Sequence, residues 1–330
     1  MSYIAVIGAG SWGTTLSAIL ADKGYDTSLW VFEDNLAQEI EKTRMNSIYL
    51  PGVTLPENLT VSHRIDEVVK KARYILNVVP TQYTRDVFKE VINYINKDSV
   101  IISASKGIER GSLLTCSSIL KELSGRKVAV ISGPSFAKEV VNKLPTAVTI
   151  ATEDADIALM LQEVFNTNYF RVYTHDDIVG VEIGGALKNV IAIASGISDG
   201  LGLGYNARAA LITRGLAEIT RLGAAMGARE QTFSGLSGLG DLVLTCTGAM
   251  SRNYTVGYKL GQGIKLRDIL SATRSVAEGV ATAESAFELS KRHMIEMPIT
   301  EQVYRVIYRD KAPAIAVKDL MDRSLKSEFY

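Results

Sequence analysis

Short apolar runs recur along the first half of the chain, at residues 3–7, 27–32, 74–79, 100–103, 128–131 and 147–150. Their length, β-branched content and bounding turn residues predict strands. Between them, residues 14–23, 36–44, 65–70, 82–94 and 113–123 repeat apolar positions at helical spacing. Strands apolar on both faces, alternating with helices, predict a mostly parallel sheet covered on both sides. Beyond Val179 the pattern changes: Ala-, Leu- and Gly-rich helical stretches follow, with no convincing strand. The expectation is an α/β domain over residues 1–182 and an all-helical domain over 183–330. No Pro/Ser linker separates them, which implies a packed interface with a cleft.

A length of 330 residues agrees with two domains, and 47% hydrophobic against 22% charged residues is ordinary for a chain with a large core. Lys plus Arg and Asp plus Glu balance at 36 each. That argues against a nucleic-acid coat or a polybasic membrane binder, while leaving room for a local basic pocket. The two cysteines, Cys116 and Cys246, match neither a disulfide framework nor a metal spacing, so a reducing, cytoplasmic setting is expected. No stretch reaches the roughly 18 uninterrupted apolar residues of a membrane span. Residues 1–10 are apolar without a basic leader and run into a glycine motif, so they read as a strand and not as a signal peptide.

That motif is Gly8-Ala-Gly10-Ser11-Trp12-Gly13, a GxGxxG placed between a strand and a helix. The first glycine permits the tight turn, the second lets backbone approach a pyrophosphate, and the third allows close helix–strand packing. The helix N-terminus then stabilises the phosphate charge. Glu33 stands 20 residues past Gly13, near the end of the second strand, where an acid bonds the adenosine ribose 2′-hydroxyl. The first domain therefore reads as a Rossmann-type dinucleotide-binding domain. An NADP site usually places an Arg at that strand end, but Trp30-Val-Phe32-Glu33 is followed by no Arg before Arg44. NAD is favoured and NADP stays open. Further strand ends, Val78-Val79-Pro80, Ser103-Ala-Ser105-Lys106-Gly107 and Ser132-Gly133-Pro-Ser135-Phe-Ala137, point at the same crevice.

In the second half, residues 181–197 read as a helix apolar on nearly every side, with Glu182 and Lys188 its only charges. Burial lowers a lysine pKa toward the working range of an acid–base catalyst. Lys188 is thus a candidate proton donor to a substrate carbonyl oxygen, with Asn189 beside it. The structural alternative is a lysine paired with Glu182 or snorkelling to water. A second cluster runs Gly235-Leu-Ser-Gly-Leu-Gly-Asp241-Leu-Val-Leu-Thr245-Cys246, followed by Ser251-Arg252-Asn253. Asp241 and Thr245 lie one helical turn apart. Ser251 has the character of an N-cap, and Arg252 at that helix start would suit a phosphate dianion. The three histidines, His63, His175 and His293, show no metal spacing, and Cys246 has no partner that would make it a nucleophile. Met294 and Met297 read as core filling.

Taken together these segments resemble the soluble bacterial type of NAD(P)-dependent glycerol-3-phosphate dehydrogenase. The resemblance spans nearly the whole chain. It includes Asn46-Ser-Ile-Tyr-Leu-Pro51-Gly52, Ser105-Lys106-Gly107-Ile-Glu109, residues 181–194, Asp199-Gly-Leu-Gly202, residues 238–246 and Val276-Ala-Glu-Gly-Val280. It implies reversible reduction of dihydroxyacetone phosphate to sn-glycerol 3-phosphate, supplying phospholipid synthesis. Lys188 would be the proton donor and acceptor, with Lys106 and Asp241 completing the polar site. Gly133, Ser135, Asn189, Thr245, Ser251, Arg252 and Asn253 would contact the phosphorylated substrate. Ser11, Trp12, Lys106, Ala137, Arg252, Val276 and Glu278 match positions that contact the dinucleotide. A homodimer is common in such enzymes. The family usually carries Arg or His where this chain has Phe32, a departure that agrees with the argument from Glu33. The nearest rival is a β-hydroxyacid or phosphogluconate-type dehydrogenase, which would recognise a carboxylate. A non-catalytic nicotinamide sensor would have no reason to keep Lys106, Lys188 and Asp241 together.

Overall fold

The computed structural model describes residues 3–272 and 276–328. Among these described residues ten strands are formed: β1 Tyr3–Ile7, β2 Asp26–Trp30, β3 Met45–Asn46, β4 Leu50–Thr54, β5 Leu59–Ser62, β6 Tyr74–Asn77, β7 Val100–Ser103, β8 Val128–Ser132, β9 Thr146–Ala151 and β10 Phe170–His175. Eight of them make one sheet in the order β10-β9-β8-β7-β6-β1-β2-β5, and β3 and β4 form a separate hairpin. All neighbours in the large sheet are parallel except β8 and β9. In the central β1, Ile4 and Val6 enter one apolar core while Ala5 and Ile7 enter another. Alternate residues of a strand point to opposite faces, so a run apolar at every position requires cover on both. The helix Ser11–Asp22 supplies it on one side through Leu16, Ile19 and Leu20. The helix Thr81–Val91 supplies it on the other through Phe88 and Val91.

The predicted strands are all present. The pattern passed over β5, β10 and the β3–β4 hairpin, which are only partly buried and so lack a continuous apolar run. Both β5 and β10 lie at sheet edges, where a strand is less enclosed by its neighbours.

Beyond His175 no strand occurs among the described residues. The helix Ile178–Gly200 is the axis of this second half and is buried without a break from Gly180 to Ser198. By length and hydropathy it matches a membrane span, although Glu182, Lys188 and Asn189 interrupt its apolar run, and 89% of that stretch is buried in the protein. Around it pack the helices Gly204–Ala225, Asp241–Thr247, Arg252–Gly261, Glu278–Arg292 and Pro298–Tyr308. The contact with Arg252–Gly261 is backbone to backbone: a Cβ on Gly257 would stand 2.0 Å from the Ile193 carbonyl oxygen. Met297 is buried as expected, but Met294 is 91% exposed, because it follows the helix end in a left-handed turn.

Two buried glutamates, Glu182 and Glu218, and the half-buried Glu278 tie the helices together by capping distant helix N-termini. Such ends leave unsatisfied N–H groups and partial positive charge. Glu182 accepts hydrogen bonds from the Ser117 backbone N–H (2.9 Å) and hydroxyl at the start of Cys116–Ser124. Glu278 accepts from Thr81 N–H (2.9 Å) at the start of Thr81–Val91. Glu218 accepts from Ile299 N–H (2.6 Å), Thr300 N–H (3.0 Å) and the Thr300 hydroxyl (2.9 Å) at the start of Pro298–Tyr308. The first two cross between the sheet domain and the helical domain and so hold the cleft walls in register.

Candidate active site

The cleft opens at the carboxyl ends of β1, β2, β6 and β7, where open α/β sheets bind ligands. Gly8 sits at φ +112°, which an L side chain rarely adopts, and a Cβ there would lie 2.9 Å from the Val78 carbonyl oxygen. A Cβ on Gly13 would fall 1.9 Å from the Gly8 carbonyl oxygen. Gly10, between them, faces open space with nothing within 4 Å. The first and third glycines are therefore required by packing, and the second leaves bare backbone for a ligand. The helix Ser11–Asp22 begins there with no side-chain cap, so its first N–H groups are available to a phosphate. A dinucleotide fits this cradle. At the far wall Glu278 Oε2 is buried without a hydrogen-bond partner, against Gly107, where an added Cβ would lie 2.9 Å from it. Burial pushes that carboxyl up to about 7.

Facing the cradle, the helical domain presents a charged array. Asp241, 1% exposed, opens the helix Asp241–Thr247 and accepts hydrogen bonds from two ammonium groups. Lys188 Nζ donates to its Oδ1, and Lys106 Nζ donates to its Oδ2 at 2.6 Å. Lys188 donates a second bond to Thr245 Oγ1 (2.9 Å), and Lys106 a second to the Gly133 carbonyl (2.9 Å). An ammonium has three N–H donors. Each lysine thus keeps one donor without a protein partner among the described residues. Burial and the neighbouring Lys106 charge lower the Lys188 pKa to about 8 against the opposing pull of Asp241. Glu182, the alternative partner for Lys188 in the sequence, is instead occupied by Ser117.

Two amides fix the array to the fold. Asn189 Nδ2 donates to the Lys106 carbonyl (3.1 Å), while Asn253 Nδ2 donates to Asn189 Oδ1 (2.8 Å). Asn253 Oδ1 in turn accepts from Gly279 N–H (2.9 Å), next to Glu278. Ser251 caps its helix through the Tyr254 N–H. Arg252, the first residue of that helix, reaches over the cleft to donate to Ser11 Oγ (2.9 Å) at the glycine loop. Ser135 bonds back to the Gly133 carbonyl (2.9 Å), placing both beside Lys106. Trp12 lies against Phe170, and the Ala137 carbonyl accepts from Thr15 on the glycine-loop helix. Val276 is 43% exposed, two residues before Glu278. Phe32 and Glu33 stand apart from this group: they follow β2, three strands from the β7 end that carries Lys106, or about 14 Å at about 4.8 Å per strand.

Both cysteines are free and buried, and burial pushes their thiols up to about 12, so neither is a thiolate at neutral pH. His63 pairs with Asp34, and His175 Nδ1 accepts from the Asp177 N–H. The sequence reading missed Tyr49, whose hydroxyl donates to Glu33 Oε1 at 2.8 Å. Only its position in the segment beginning at Asn46 hinted at a role.

A dinucleotide cradle opposed by a buried lysine of lowered pKa defines a two-domain nicotinamide-dependent dehydrogenase. Comparison with known proteins narrows the class. Residues 3–158 match the family described as NAD-dependent glycerol-3-phosphate dehydrogenase N-terminus, and residues 177–318 match its C-terminus. The chain belongs to this family. It is 54% identical to glycerol-3-phosphate dehydrogenase [NAD(P)+] of Syntrophobacter fumaroxidans, covering 98% of this chain and 97% of that protein. The enzyme of the same name from Geobacter sulfurreducens is also 54% identical, over 98% of each chain. The crystal structure of glycerol-3-phosphate dehydrogenase from Coxiella burnetii superposes with a TM-score of 0.95 at 41% identity, covering 98% of this chain and 99% of that one.

Proposed function

We propose that this protein interconverts dihydroxyacetone phosphate and sn-glycerol 3-phosphate with NAD(P)H, and that Lys188 moves the proton. The observation that carries the reading is Asp241 held between Lys188 and Lys106, each lysine keeping one N–H directed at no protein group among the described residues. Two ammonium groups around one carboxylate leave one uncompensated positive charge in a buried site. That suits an anionic substrate and an oxygen that gains negative charge during reduction.

A reduced nicotinamide, when bound, supplies the hydride. The protein's own part is the proton. Lys188 donates its remaining N–H to the substrate C2 carbonyl oxygen and delivers that proton as the oxygen becomes a hydroxyl. In the opposite direction neutral Lys188 accepts it. A pKa of about 8 keeps both forms accessible near neutrality. Lys106 donates to the same oxygen or its neighbour, and Asp241 aligns both lysines. Thr245 donates to the Asp241 backbone carbonyl (2.6 Å) and so presents a lone pair to Lys188. Arg252 and the Ser251 cap form the phosphate end, assisted by the helix N-terminus. Gly133, Ser135, Asn189 and Asn253 shape the substrate wall, while Ser11, Trp12, Ala137, Val276 and Glu278 serve the dinucleotide. The free thiols suit a reducing cytosol as the place of reaction.

The test follows nicotinamide absorbance with dihydroxyacetone phosphate and with unphosphorylated dihydroxyacetone. Turnover confined to the phosphate ester is expected. Arg252→Ala should raise KM for that ester by about tenfold or more, in keeping with the loss of a charge-assisted contact. An unchanged KM would put the phosphate elsewhere.

A further inference from the structure

The adenosine end of the cleft carries a specificity device distinct from the catalytic array. It rests on the dinucleotide reading above. The Asn46 side chain is fully buried and locked to the glycine loop, donating to the Ala9 carbonyl (2.8 Å) and to Thr14 Oγ1 (2.9 Å). Its Oδ1 accepts the Tyr49 backbone N–H at 3.0 Å. Tyr49 is therefore referenced to the glycine loop, and its hydroxyl holds Glu33 Oε1 at 2.8 Å. Glu33, which occupies the position before the helix Asp34–Thr43, is exposed at the strand end yet held at one oxygen by Tyr49.

The surroundings repel a second phosphate. Phe32 is 77% exposed and packs edge-to-face on Trp30, where a cation would be needed to hold a 2′-phosphate. β5 ends alongside β2, which brings His63 and Arg64 to the same rim. His63 pairs with Asp34 (3.0 Å), while Arg64 pairs with Glu67 (2.9 Å) and Asp66 (3.6 Å). The Arg44 guanidinium is directed at the Pro56 and Leu59 carbonyls. His63, Arg64 and Arg44 are thus engaged by protein acceptors, and Arg252, a cation near Tyr49 from the helical domain, is turned to Ser11 Oγ.

We propose that Tyr49 is a positioning residue for cofactor choice: by clamping Glu33 it selects the ribose 2′-hydroxyl of NADH against the 2′-phosphate of NADPH. A fixed carboxylate accepts the hydroxyl's hydrogen bond without first losing rotamer freedom, and it opposes a dianion by like charge.

The experiment measures equilibrium binding to the apoenzyme by calorimetry, with NADH, NADPH, 5′-AMP and 2′,5′-ADP as probes, for the wild type, Tyr49→Phe and Glu33→Gln. The wild type should bind NADH at least about tenfold tighter than NADPH, and 5′-AMP tighter than 2′,5′-ADP by a similar factor, the scale of one charge-assisted hydrogen bond. Tyr49→Phe should weaken NADH and 5′-AMP by about threefold to tenfold and leave NADPH within about twofold, a split that general loosening of the fold would not produce. Glu33→Gln should tighten NADPH. Equal wild-type affinities, or a Tyr49→Phe loss shared by both cofactors, would overturn the proposal. Failure to bind either cofactor would instead overturn the dehydrogenase reading beneath it.

Discussion

Replacing Asp241 by Asn removes the anion that both lysines share while keeping the side chain's size. At hydrogen-bond distance and an effective dielectric of about 20, the attraction between two unit charges is about 5 kcal/mol, equivalent to about 4 pKa units. The amide dipole and entering water return part of that, so a fall of about 2 units is a conservative expectation for Lys188. Starting from about 8, the lysine would then titrate about 2 units lower. At pH 7.5 its protonated fraction would drop from about three quarters to about three hundredths, a loss of roughly 25-fold in kcat for ketone reduction. The assay is kcat against pH with saturating dihydroxyacetone phosphate, repeated in reverse with glycerol 3-phosphate. The reductive limb should move to acid and recover below pH 6, and the oxidative limb should move the same way. Circular dichroism of the variant should match the wild type. A reductive profile that still bends near 8, or a loss equal at every pH, would refute the electrostatic coupling.

Lys188→Ala should lower kcat on the order of 10²–10⁴-fold with cofactor affinity unchanged, and wild-type turnover would remove its assigned role. Glu218 is buried at a helix N-terminus with its carboxyl pushed up to about 7 from 4.5. Its contribution to stability is present below about pH 4.5 and lost as pH rises through about 7, about 3 kcal/mol in all. Between pH 5 and 8 the wild type should therefore lose Tm relative to Glu218→Gln, and parallel Tm curves would contradict this. Gly257→Ala would place a methyl group 2.0 Å from the Ile193 carbonyl oxygen. Although Ala is favoured over Gly inside helices, this substitution should cost about 2 kcal/mol or more in chemical denaturation, and a stabilised variant would disprove the tight crossing.

The sequence by itself determined what depends on near neighbours along the chain. Apolar runs placed the central strands, since a strand covered on both faces must be apolar at every position. The turn at Gly8 and the packing of Gly13 were legible because a dinucleotide cradle is built within a few residues. Lys188 stood out as a charge on an otherwise apolar helix. Tertiary structure decided who its partner is. Asp241 lies 53 residues from Lys188 and 135 from Lys106 along the chain, and no local pattern separates that pairing from the Glu182 alternative. The same holds for the glutamate caps, for Glu33 clamped by Tyr49 and for the antiparallel turn of β9 onto β8. The physical reason is shared. A buried polar group must find a partner, but burial does not specify which one; only the packing of the helices against the sheet brings one candidate within hydrogen-bond reach and excludes the others.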